Sequence, residues 1–183
     1  DSVGGVFVNS LGGGTVTIAQ STISSNKGNL SIGGIASTIP FSIDNSTVAF
    51  NSAGPFGVGG LGAISTIASL QSSIFAGNSP TDVDGAATLA GGNNLVENAG
   101  PGVTLPLDTL AADPKLEPLA HNGGSTRTHM LGTGSPAIDA GINVNNLPAD
   151  QRQGTYARVV GNGADIGAVE FDDDHIFADD FGN

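Results

Sequence analysis

Three nine-residue segments, residues 18–26, 43–51 and 70–78, align on a terminal asparagine: Asn26, Asn51 and Asn78, spaced 25 and then 27 residues apart. Each is preceded by a Gly-Gly-aliphatic step, at Gly4-Gly5-Val6, Gly33-Gly34-Ile35 and Gly59-Gly60-Leu61. A period of this length restricts the chain to solenoids, propellers or helical arrays. Within each unit the apolar residues alternate, as in Val16/Ile18, Phe41/Ile43 and Ala68/Leu70, which is the period of a strand and not of a helix. A propeller blade needs about 40 residues for its four strands, more than the repeat supplies. The remaining solution is an all-β coil of short parallel strands, a parallel β-helix, in which equivalent residues of successive turns stack.

That stacking places Ile18, Ile43 and Leu70 in one inward row and Ile23, Val48 and Phe75 in another. Asn26, Asn51 and Asn78 form a structural ladder, because a repeated buried amide must be satisfied and its nearest partner is its own equivalent one turn away. A shorter landmark, Gly92-Asn93-Asn94-Leu95 through Asn98, marks an irregular last turn. Pro101, Gly102 and Pro106 then read as a loop leaving the coil. Three regions follow: coil turns over 1–98, a C-terminal capping segment over 99–170, and an acidic tail over 171–183. Asp1 to Gly5 opens inside the repeat, so a longer coil is expected upstream.

Composition narrows the partners. Lys and Arg number 5 against 17 Asp and Glu, a net charge of −12, which disfavours nucleic acid and anionic membrane surfaces. No apolar stretch is long enough to insert in a membrane as a helix. Cysteine is absent, so there is neither a disulfide framework nor a thiolate site.

Several motifs carry a family resemblance. They are Ser73-Ile74-Phe75-Ala76-Gly77-Asn78 with Asp82-Val83-Asp84-Gly85, Asp113-Pro114-Lys115-Leu116, and Asn122-Gly123-Gly124-Ser125-Thr126-Arg127-Thr128-His129. Gly134-Ser135-Pro136-Ala137-Ile138-Asp139-Ala140-Gly141, Asp150-Gln151-Arg152 and Asp165-Ile166-Gly167-Ala168-Val169-Glu170 complete the pattern. The chain resembles the C-terminal part of bacterial choice-of-anchor Q domain proteins. The resemblance implies a right-handed parallel β-helix on an exported, extracellular or cell-surface protein, and it implies no reaction. The tail, with Asp172, Asp173, Asp174, Asp179 and Asp180 around Phe177 and Phe181, is similar to the acidic-aromatic endings of some exported proteins. A sorting or processing signal and a solvated acidic terminus are the two readings of it.

Asp113, Arg127, Asp139, Asp150, Arg152, Arg158 and Asp165 concentrate charges of both signs in the C-terminal segment. They are expected to pin a cap over the open end of the coil, since an uncovered end exposes strand edges and core. Asp82 and Asp84 are weak candidates for calcium, too few by themselves for a calcium loop; no other cofactor is expected. His121, His129 and His175 lack metal-ligand spacing. The repeats offer neither the paired carboxylates that glycan cleavage requires nor a Trp or Tyr to stack on sugars. A non-catalytic structural or adhesive module is therefore expected, with a cell-surface glycan or protein, or a second copy of the chain, as partner. Two alternatives stay open: a glycan-binding or glycan-cleaving β-helix with its groove in upstream turns, and an assembly subunit docking through strand edges.

Overall fold

A computed structural model describes residues 3–9, 14–63 and 68–172. Among these residues there is no helix, and twelve short strands form three parallel four-stranded sheets. In chain order they are β1 (Val6–Val8), β2 (Val16–Ala19), β3 (Thr22–Ser24), β4 (Ile35–Ser37), β5 (Phe41–Asp44) and β6 (Thr47–Ala49). They continue as β7 (Leu61–Ala63), β8 (Ala68–Gln71), β9 (Ile74–Ala76), β10 (Val83–Gly85), β11 (Ala90–Gly92) and β12 (Leu95–Val96). Every third strand pairs: β1-β4-β7-β10, β2-β5-β8-β11 and β3-β6-β9-β12. Three strands per turn, all in parallel register, make a β-solenoid with the connectivity of a parallel β-helix.

The register is the one the repeat dictates. Ile18 pairs with Ile43 and Ile43 with Leu70, while Ile23, Val48, Phe75 and Val96 follow one another through the third sheet. Ile43, Val48, Leu70 and Phe75 are buried in one core with Ile35, Leu61, Val83 and Val96, and Ile18 and Ile23 pack on it. Two columns of left-handed turn residues join the sheets. Gln20, Asn45, Ser72 and Asn93 have φ of 44, 42, 47 and 52°. Ser25, Phe50 and Gly77 have φ of 60, 55 and 63°. A tight turn repeated at 4.7–4.9 Å stacking imposes the same dihedrals at each level, whatever residue occupies it.

Glycine is required where those levels press closest. A Cβ on Gly34 would lie 2.5 Å from the Gly60 carbonyl oxygen, and one on Gly60 would lie 2.1 Å from that of Asp82. This stacked contact explains the repeated Gly-Gly step.

Stacking continues past Asn98, where a loop leaving the coil was expected. Ala99, Thr104 and Leu110 make parallel bridges to Val83, Thr88 and Leu95. Val103 and Leu105 pack against the main core, so this stretch covers its C-terminal end.

The irregular C-terminal segment is present, and what it covers is the flank of the coil. Its contacts run up all the turns. Residues Thr22, Thr47, Ile74 and Leu95 form the outward row of the third sheet. Thr22 donates to Gln151 Oε1, Ala168 N–H donates to Thr47 Oγ1, and Ile74 and Leu95 pack with Leu131, Ala137 and Ile166 in a second core. The third sheet is thereby buried on both faces. The first turn column supplies the adjoining strip: Asn45 Nδ2 donates to Ile142 O, Ile142 N–H to Ser72 Oγ, Gly167 N–H to Ser72 O, and Asn93 Nδ2 to Ala140 O.

Candidate functional site

The asparagine ladder has a direction. Asn26 donates both its backbone N–H and its Nδ2 to Asn51 Oδ1, each at 2.9 Å, and Asn51 donates in the same way to Asn78 Oδ1 at 2.9 Å. The Nδ2 groups also reach strand carbonyls, Ile23 and Ala49 for Asn51 and Val48 and Ala76 for Asn78. A column built this way sends donors toward the C-terminal end and must finish on an acceptor. Asp82 is that acceptor. Its Oδ1 takes Asn78 N–H at 2.8 Å and Nδ2 at 2.7 Å, and its Oδ2 takes Asn98 N–H at 2.8 Å. Asp82 is 1 % exposed, and burial pushes its carboxyl up to about 6 against those three donors.

Asp82 and Asp84, the weak calcium candidates, both accept hydrogen bonds from the chain itself: the Asp82 oxygens face three N–H groups. Asp84 accepts Gly85 N–H at 2.7 Å and lies against Gly100. Among the described residues no group of three or more His, Asp or Glu is placed to hold a metal.

A second, shorter-reaching ladder runs beside the first. Ser21 N–H donates to Ser46 Oγ, Ser46 N–H to Ser73 Oγ, and Ser73 N–H to Asn94 Oδ1. The hydroxyls donate to carbonyls two residues back, at Asp44 for Ser46 and Gln71 for Ser73. Sequence reasoning missed this column, although Ser21, Ser46 and Ser73 occupy one aligned position of the repeat.

Of the seven charged residues expected to pin the C-terminal segment, five meet. Asp150 and Arg152 are paired at 2.6 Å, both buried, and Asp150 Oδ2 also accepts Glu170 N–H at 2.9 Å. Arg152 Nη2 donates to the Glu170 carbonyl at 2.9 Å. Arg158 is 1 % exposed and donates to the carbonyls of Gly167 and Asp165 and to the Glu170 carboxylate at 3.0 Å. Asp165 accepts Asp139 N–H at 2.7 Å and Phe171 N–H at 2.5 Å. The exposed Asp139 accepts the N–H groups of Asn162 and Gly163, which hold its carboxyl below the usual range. Asp113 stands apart, accepting Lys115 N–H at 2.7 Å, and Arg127 is exposed with no partner among the described residues.

Two further members went unread in the sequence. Glu170 is wholly buried, and burial pushes its carboxyl up to about 8 against the pull of Arg158. His129 is 3 % exposed and joins the segment to the coil: Nδ1 lies 2.7 Å from Glu117 O and Nε2 2.8 Å from Ser24 Oγ. With only an acceptor opposite Nδ1, the proton resides there, and Nε2 accepts from the serine hydroxyl. Its ring packs on Phe50, centroids 5.0 Å apart, and burial lowers its pKa.

Two clefts open on the C-terminal segment. The larger, about 760 Å³, is lined among others by Glu117, His121, Met130, Tyr156 and Phe171, and Arg152 stacks on the Tyr156 ring at 4.2 Å. The smaller, about 310 Å³, lies between Phe50, Glu97 and Lys115. His175 and the rest of the tail from residue 173 lie outside the described residues. Compared with known proteins, the chain matches no family model, no curated protein and no solved structure.

Proposed function

We propose that the chain is a non-catalytic structural or adhesive module of an exported bacterial cell-surface protein of the choice-of-anchor Q kind. The motifs from Asp113 to Glu170 support the resemblance. One observation supports the structural role above others: the buried charges are spent on holding the chain together. Asp150, Arg152, Arg158, Asp165 and Glu170 bind one another and backbone groups, fixing the C-terminal segment along a coil whose turns are already locked by two side-chain ladders. Such an arrangement adds contacts that span several turns to a coil in which each turn otherwise touches only its neighbours.

Display of the chain on a non-adherent cell tests the reading. Attachment to glycan- or protein-coated surfaces above that of the undecorated cell is expected, without release of oligosaccharide. Absence of attachment refutes the adhesive role, and oligosaccharide release refutes the non-catalytic one in favour of glycan cleavage.

A further inference from the structure

We propose that the smaller cleft is a subsite for one hexopyranose unit of a glycan, a unit bearing no acid group, with Phe50 as the stacking face. This rests on the adhesive reading above and supplies the contact through which it would work. Phe50 occupies the second column of left-handed turns, with φ of 55°, where the turns on either side carry Ser25 and Gly77. A bulky side chain in that backbone region is strained, and Phe50 is 45 % exposed, so core burial does not account for it. The ring is steadied by His129 and leans over Gly77, where a Cβ would lie 2.7 Å from two of its carbons. Glycine at that position therefore makes the space beside the ring. At about 310 Å³ the cleft lies at the lower end of ligand-pocket sizes, which suits a single sugar ring.

The polar edge of the cleft is rich in acceptors. Glu97 Oε2 accepts Gly77 N–H at 3.0 Å, and Asp113 Oδ1 accepts Lys115 N–H at 2.7 Å. Each carboxylate is thereby held in place while its second oxygen bonds to none of the described residues. Sugar hydroxyls donate to such oxygens, and the apolar C–H face of a pyranose covers an aromatic ring. Two carboxylates against the single ammonium of Lys115 leave the cleft negative, which turns away acidic sugars.

Titration of the isotopically labelled full chain with methyl glucoside, galactoside, mannoside, glucosaminide and glucuronide tests the site by nuclear magnetic resonance. Saturable shifts at Gly77 N–H and the Phe50 ring are expected with at least one non-acidic hexoside, at the millimolar affinity of a single sugar. Phe50→Ser, which installs the residue the same column carries at Ser25, should weaken binding at least about tenfold. Asp113→Ala, at an exposed residue outside the buried ion cluster, should weaken it about threefold or more. No saturable shift with any hexoside, shifts centred on Met130 and Tyr156, binding indifferent to both substitutions, or glucuronide binding as tightly as the others would each overturn the proposal. In the display assay, glycan attachment that Phe50→Ser retains would overturn this site alone, whereas hexoside binding without attachment would refute the adhesive reading and leave the site standing.

Discussion

Replacing Asp82 with Asn tests the logic of the ladder, because the substitution looks like the addition of one more rung. Every other rung is an Asn, and the two side chains have the same shape. The geometry nevertheless forbids it. The Asp82 oxygens face donors on both sides, Asn78 N–H and Nδ2 at one and Asn98 N–H at the other. An amide can turn its oxygen to only one of them, and its NH₂ then confronts an N–H. One buried donor is left unsatisfied, at a cost of about 1–3 kcal/mol. In urea, with slopes of roughly 1–3 kcal/mol/M, this lowers the unfolding midpoint by on the order of 1 M. Protonation does not mimic the substitution, since a carboxylic hydroxyl oxygen keeps a lone pair and the amide nitrogen has none.

The pH dependence gives a second readout. With Asp82 raised by burial from 3.8 to about 6, the folded state binds the proton more tightly than the unfolded chain does. The associated stability is fully present below 3.8 and is lost as pH rises through about 6. Asp82→Asn does not titrate, so its deficit relative to the parent should be larger at acid pH than at neutrality. Urea melts at both pH values, with amide exchange at Asn98, measure both effects. A variant within about 0.5 kcal/mol of the parent, with Asn98 protection unchanged, would refute the directional ladder.

Other perturbations have equally defined outcomes. Gly60→Ala places a Cβ 2.1 Å from the Asp82 carbonyl oxygen and 3.0 Å from Asn78 Nδ2, so thermal unfolding should report a loss of about 1–3 kcal/mol. Glu170→Leu removes the acceptor facing the buried Arg158 guanidinium, and a destabilisation of about 3–5 kcal/mol is expected in denaturant melts. Replacing Glu170 and Arg158 together with apolar residues should cost less than either single change, and a larger cost would contradict the desolvation argument. His129 is lowered by burial, so the unfolded chain takes up the proton first and stability falls as pH drops below 6.5. His129→Gln should flatten that slope in melts collected from pH 7.5 to 5, about the range in which an unperturbed histidine titrates.

The coil was legible because its information is repeated. Inward rows at Ile18/Ile43/Leu70 and Ile23/Val48/Phe75 follow from alternation and from the asparagine period, and each turn restates the pairing of the one before. The ladder's members were legible for the same reason, since a buried amide at a repeated position has one ready partner. Its end was not. Asn98, matched to the repeat by spacing, gives its backbone N–H to Asp82, and a residue only four positions after Asn78 completes the column. The five clustered charges were found as residue types, while Glu170, Ser24 and His129 are single occurrences that no period marks.

The sequence by itself therefore determined the strand period, the stacking register and the identity of the ladder. Those depend on neighbours related by one repeat, and a periodic chain names such neighbours. The tertiary structure alone decided where the ladder stops and that residues 99–110 stay on the coil. It also decided that residues 113–172 lie along the flank, burying Ile74 and Leu95 on the outer face of the third sheet. Those outcomes rest on contacts between segments with no shared pattern, such as Ala168 on Thr47 and His129 on Ser24, which become neighbours only once the coil is wound.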